Sequence, residues 1–179
     1  MDDVLVTGLG ALSPLGTGVD AFWRGMHAAD TAPVRVPDPL AHMDHPLMYL
    51  VPEADLPDGP VEQDGLPLGR GSQFALAAAR EAVADAGLAA LPDSDASDTT
   101  DASDTTDASD TTGATGAGLD PRRVAVALST GMGDTDLHEG WWTGEAPASG
   151  RWAPAFPLAS VVGGWFGAQG VNTCVSNAC

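Results

Sequence analysis

The chain has 179 residues, 44% of them hydrophobic, with a mean hydropathy of −0.01, which is the size and composition of one soluble domain with a core of its own. A formal charge of −18, from 7 basic against 25 acidic residues, argues against nucleic-acid binding, because neutralising phosphates takes clustered Lys and Arg. No apolar run reaches the roughly eighteen residues of a membrane span, and the start MDDVLV is acidic where an export signal is basic, so a cytoplasmic protein without a membrane segment is expected. Cys174 and Cys179 form no disulfide framework and sit too far apart along a strand to bridge; both are expected as free thiols.

Residues 4–7 form a short apolar run ending at Gly8, the pattern of a buried strand. Thr17 then opens a capping-box variant with Asp20, and Val19, Phe22, Trp23 and Met26 follow at helical spacing, so a helix packed on a sheet is expected. Between them, Gly8, Gly10 and Ser13 approach the dinucleotide fingerprint G-x-G-x-x-G. Ser13 replaces its third glycine, and Pro14 delays the helix, so a structural turn is the preferred reading. Residues 33–70 hold eight of the fourteen prolines and read as an irregular excursion with a short strand near 48–51. His42, Asp44 and His45 fall within it, and three residues on a proline-bounded loop are read as solvated side chains in preference to a metal site.

Ser72 is placed to cap an alanine-rich helix with Phe74, Ala78, Val83 and Ala86 inward and Arg80, Glu81 and Asp85 outward, closed by Gly87. DASDTT is then repeated three times from Asp95 to Thr112, and residues 93–118 read as a disordered acidic loop within the domain. Without this loop's seven acids the chain keeps 18 acids against 7 bases, a charge of −11. The repeat lacks the glycine pattern of a calcium-binding roll, so no metal is assigned to it and no cofactor is expected. Residues 124–128 resume as a buried strand, leading into the small-residue turn 129–133. Alternating strands and helices favour an α/β fold with a largely parallel sheet. Trp141, Trp142, Trp152 and Phe156 read as aromatics in a Gly- and Pro-rich loop, where packing is preferred to a channel wall or subunit contact.

Leu158, Val161, Val162, Trp165 and Phe166 recur at helical spacing; Gly163 and Gly164 permit close approach, and Gly167 ends the helix in a left-handed conformation. Val171, Thr173 and Val175 then alternate with Asn172, Cys174 and Ser176, the period of a short strand. Cys179 falls just past its end. On residue type alone such a cysteine is an inert, small, apolar residue; the N-terminus of a following helix, with its free N–H groups and positive dipole end, would make it a thiolate nucleophile.

Several separated segments resemble the N-terminal part of a β-ketoacyl synthase. They are VLVTGLGALSPLG at 4–16 with AFW at 21–23, ALAAAREAVADAGL at 75–88, RVAVALSTGMG at 123–133 and FGAQGVNTCVSNAC at 166–179. Val171 stands where this family commonly has proline, Asn177 where a small hydroxyl residue is frequent, and Cys174 where serine or a similar residue is usual. The resemblance implies a thiolase-like fold over 1–179, incomplete as an enzyme, with Cys179 as the acyl-accepting nucleophile. It implies transfer of an acyl group from a carrier-protein or coenzyme A thioester, then decarboxylative Claisen condensation with a malonyl thioester, in fatty-acid or polyketide assembly. It also implies two downstream histidines and a second oxyanion donor, which the matched segments do not contain. His27, His42, His45 and His138 precede Cys179 in unmatched segments and receive no catalytic role. The isolated chain is therefore expected to be inactive, needing a complementing synthase half. A homodimer paired through 171–176 is a further implication. Because acyl carrier proteins are acidic as well, docking is expected to use local Arg clusters or residues outside this chain. The alternative is a non-catalytic, synthase-like interaction or scaffold protein in which Cys179 is incidental.

Overall fold

The computed structural model describes residues 3–29, 31–36, 44–51, 62–63, 65–88, 120–144 and 157–176. Cys179, His42, Trp152, Phe156 and the acidic repeat at 93–118, with the expectations attached to them, lie outside the described residues.

Strands β1 (Leu12–Ser13) and β2 (Gly16–Thr17) form a minute antiparallel hairpin, pairing Leu12 with Thr17 and Ser13 with Gly16. Its turn is closed by side chain as well as backbone, with the Leu15 N–H donating to Ser13 Oγ at 3.2 Å. Helix α1 (Val19–Ala28) follows, and its N-cap is Gly18, not Thr17 as the capping-box pattern suggests. The oxygen that caps it comes from elsewhere in the chain: Val19 N–H donates to Glu81 Oε1 at 3.0 Å. The excursion contains two further short hairpins, β3 (Val34–Arg35) with β4 (Leu47–Met48) and β5 (Glu62–Gln63) with β6 (Leu66–Pro67). The expected strand thus begins one residue earlier and is shorter.

Helix α2 (Arg70–Asp85) organises the described structure. Its alanines give it high intrinsic propensity and two smooth flanks. Ala75 and Ala79 pack towards Val126, Ala159 and Val162, while Ala78, Ala82 and Ala86 face the N-terminal segment. On that second flank a Cβ at Gly8 or Gly10 would overlap the carbonyl oxygens of Ala82 and Ala78, so both glycines are required by packing. Glu81 and Asp85, expected to point outward, turn to this segment instead: Ala11 N–H donates to Glu81 Oε2 at 2.8 Å and Leu9 N–H to Asp85 Oδ2 at 2.9 Å. Arg80 lies over the Trp165 ring, 5.2 Å from its centroid. The helix ends as its sequence indicates, with Gly87 at φ 66° and the Leu88 N–H donating to the Val83 carbonyl at 3.1 Å, a Schellman closure.

Residues 4–7 are not a buried strand. Val4, Leu5 and Val6 are 94%, 79% and 79% exposed, and no strand pairs with them among the described residues. Apolar β-branched residues become a strand only when a neighbour accepts their ladder and covers their side chains. The parallel sheet that the alternation favours is present as a pair, β7 (Val126–Thr130) with β8 (Asn172–Ser176). Strand β7 starts two residues later than expected, and only alternate residues face inward. Helix α4 (Leu158–Trp165) sits between this pair and α2, and it carries five of the buried residues: Leu158, Ala159, Val161, Val162 and Gly163.

The approach of residues 8–10 to α2 makes a direct prediction. Gly10→Ala should lower stability by about 1–3 kcal/mol, the cost of overpacking against backbone. Gly131→Ala, where an added Cβ meets nothing within 4 Å, should leave the urea midpoint unchanged.

Candidate active site

The residues around the expected nucleophile are best built from the strands that lead to it. Val126 and Leu128 give β7 an apolar face that packs on α4, and Val126, Ala159 and Val162 form a buried cluster there. β8 runs parallel to β7 in register from Val126↔Asn172 to Thr130↔Ser176. Parallel pairing delivers both chains to the same end of the sheet, which is the end where open α/β folds place their ligands.

α4 reaches β8 through a tight reversal. Gly167, at φ 61°, follows the helix, and the Ala168 N–H donates to the Gly163 carbonyl at 2.8 Å, the second Schellman closure of the chain. At Gly163 an added Cβ would lie 2.5 Å from Asn172 Nδ2, so the glycine lets helix and strand touch, as its position in the sequence suggested. The alternation of β8 is present, but the face with Asn172 and Cys174 is the one turned to α4. Val171 and Val175, on the other face, are 72% and 47% exposed. Cys174 is half-buried against the Val126–Ala159–Val162 cluster.

After β7, residues 131–134 turn the chain into helix α3 (Thr135–Thr143). Ser129 and Thr130 belong to the strand. Gly133 takes φ 64°, and the turn does come close to neighbouring backbone there, since a Cβ on Gly71 would stand 3.0 Å from the Gly133 carbonyl oxygen; Gly131 faces open space. Trp141 and Trp142, expected in a loop, lie on α3, 62% and 79% exposed, with ring centroids 5.4 Å apart. The helix was marked in sequence by Asp136 in its first turn and by Gly144, left-handed at its end.

The strongest polar contact of this region was not anticipated. Asp134 is fully buried, and its carboxylate accepts the Ser72 N–H at 2.7 Å and the Ser72 hydroxyl. Asp136 accepts the Arg70 N–H at 2.8 Å. Ser72 is therefore the third residue of α2 and not its cap; Gly69 is the N-cap residue, and two carboxylates, Asp134 just before α3 and Asp136 in its first turn, accept the Ser72 and Arg70 amides. The one available signal was an acidic pair, Asp134 and Asp136, following a strand and a glycine turn.

Cys179 lies outside the described residues, three positions beyond the end of β8. His27 is exposed in the last turn of α1, its ring 4.8 Å from that of Trp23. Asp44 and His45 are exposed, and His138 is on α3. No group of three metal-ligating side chains occurs among the described residues.

The chain matches the family model of the β-ketoacyl synthase N-terminal domain over residues 1–179. It belongs to the β-ketoacyl synthase family. The ishigamide ketosynthase/chain length factor is similar in structure, with TM-score 0.59 and 23% identity, over 98% of this chain and 40% of that one. A β-ketoacyl synthase from Burkholderia phymatum STM815 is similar at TM-score 0.59 and 21% identity, over 97% of this chain and 40% of that one. The described α/β arrangement is accordingly the N-terminal part of a thiolase-like fold, and the chain spans about 40% of the length of these solved synthases. No curated protein matches the chain. Among the described residues no helix is long and apolar enough to cross a membrane.

In this synthase domain the packing of Cys174 makes it a slow thiol. Iodoacetamide should modify Cys174 at least tenfold more slowly in the native protein than in urea, because packing against the Val126–Ala159–Val162 cluster restricts the reagent's access to its sulfur. Equal rates in the two conditions would contradict its packing against α4.

Proposed function

We propose that the protein works as an acyltransferase of β-ketoacyl synthase type, with Cys179 as acyl acceptor. The observation that carries the reading is the family match over the whole chain, together with the parallel β7–β8 pair that leads into Cys179. In the first step the Cys179 thiolate attacks the carbonyl carbon of an acyl thioester. The tetrahedral oxyanion then collapses, expelling the thiolate of the carrier protein or coenzyme A and leaving an acyl-cysteine. In the second, a malonyl thioester loses carbon dioxide, its carbanion attacks the acyl-cysteine carbonyl, and the cysteine thiolate departs as the 3-oxoacyl thioester forms. Two histidines that support decarboxylation, and a second oxyanion donor, have no counterpart in the matched segments, and residues 1–179 alone are not expected to condense substrates.

The partners in this reading are an acyl carrier protein or coenzyme A thioester and either a second copy joined along β8 or a complementing synthase half. The exposure of Val4, Leu5, Val6 and Val171 supports such a covering partner, since apolar residues of strand-forming type are left without one. Residues 93–118 are an acidic insertion within the same domain, and the location is cytoplasmic.

The test uses the protein in its native assembly, incubated with short-chain acyl-coenzyme A and acyl-carrier-protein thioesters and followed by intact mass. One acyl group per chain is expected, lost in Cys179→Ser and retained in Cys174→Ser. Uptake that persists in Cys179→Ser would leave the scaffold reading in its place.

A further inference from the structure

We propose that α1 is a self-association surface, pairing antiparallel with the α1 of a second copy of this chain across a two-fold axis. This surface is separate from β8 and from the acyl-acceptor assignment. α1 has an apolar stripe, yet none of its residues is buried. Its inner side is made of small residues: a Cβ at Gly25 would stand 2.7 Å from Leu15 Cβ, and one at Gly16 would stand 2.9 Å from Ala21 Cβ. That side is taken up by the β1–β2 hairpin and its turn. At about 100° per residue, Trp23 and Met26 fall away from Ala21 and Gly25, and they are 61% and 53% exposed. The Trp23 indole is held edge-on against the His27 ring, with centroids 4.8 Å apart. A large aromatic ring already fixed in place loses little freedom when a partner covers it, which makes it the natural anchor of a contact.

Charge identifies the occupant and its orientation. Asp20 and Arg24, both exposed, stand one turn apart along one edge of the stripe, opposite the edge on which Met26 lies. α1 thus carries one acid and one base, a locally neutral surface in a chain of −18, so a second copy meets no repulsion from the helix itself. Parallel pairing would set Asp20 against Asp20 and Arg24 against Arg24. Antiparallel pairing centred near Phe22 and Trp23 sets each Asp20 level with the partner's Arg24, giving two symmetric ion pairs beside the apolar contact, and it opposes the helix dipoles. A helix of ten residues spans only about 15 Å and offers less than the roughly 800 Å² per partner of a standard interface. The association is therefore weak and concentration-dependent.

Sedimentation velocity of the whole protein, from micromolar to near-millimolar concentration, tests this pairing. The parent should gain mass as concentration rises. Asp20→Arg leaves two bases on the edge and Arg24→Asp leaves two acids, so each variant alone should lose at least tenfold in association constant. Mixed in equal amounts, the two should associate with each other about as strongly as the parent does with itself. Net charge alone predicts otherwise: Asp20→Arg brings the chain to −16 (−18 + 2) and Arg24→Asp to −20 (−18 − 2), which would strengthen the first and weaken the second. Trp23→Ala, which leaves both charges in place, should weaken association alone and in every mixture. The proposal is overturned if the parent keeps one mass across the range, or if all three variants associate as the parent does, the result that contact through β8 would give. It is equally overturned if Trp23→Ala weakens nothing, or if the mixture of the two reversed variants associates no better than each alone.

Discussion

Carboxylates that accept backbone N–H groups fasten α2 to the rest of the chain at both ends. Near its C-terminus Glu81 and Asp85 receive the amides of Leu9, Ala11 and Val19, which lie in the glycine-rich N-terminal segment and at the start of α1. At its N-terminus the direction reverses, and the amides of Arg70 and Ser72 donate to Asp136 and Asp134 at the start of α3. Charge-assisted bonds of this kind contribute about 1.5–3 kcal/mol each when shielded, and they carry direction, which apolar packing lacks. They fix where two loops cross the helix. The same carboxylate at Glu81 fills the start of α1, the position a phosphate would occupy in a dinucleotide fold, and the glycines beside it are accounted for by contact with α2.

From this anchored helix the site follows through contact. α2 packs on α4 through alanines and Leu76, α4 packs on β7 and β8, and a Schellman reversal with little slack connects α4 to β8. The sheet thus receives its two strands in a register set by helix packing, and both open at one end.

Legibility in the sequence divided along a physical line. Helices α1, α2 and α4, the closures at Gly87 and Gly167 and the strand around Cys174 were readable because each depends on near neighbours: period, propensity and a glycine in place. The resemblance in four blocks led to the family, which the match over 1–179 bears out. What was misread depends on distant residues. Ser72 looked like a cap because its type favours caps, yet the capping oxygen is Asp134, 62 positions away. Glu81 looked solvated because a carboxylate on a helix usually is, and no local pattern reveals an amide 70 positions earlier. Residues 4–7 had the composition of a strand, but composition does not supply the pairing partner. Trp141 and Trp142 drew attention as aromatics among glycines, which hid the acidic first turn of α3.

Amide hydrogen exchange, read residue by residue, tests most directly whether these carboxylate contacts hold the fold together. The amides of Leu9, Ala11, Val19, Arg70 and Ser72 should exchange slowly, with opening free energies close to that of Leu76 inside α2, because they open only when the helix lets go. Exchange of Leu9, Ala11 and Val19 at the rates of an unstructured peptide, beside a protected Leu76, would contradict the account.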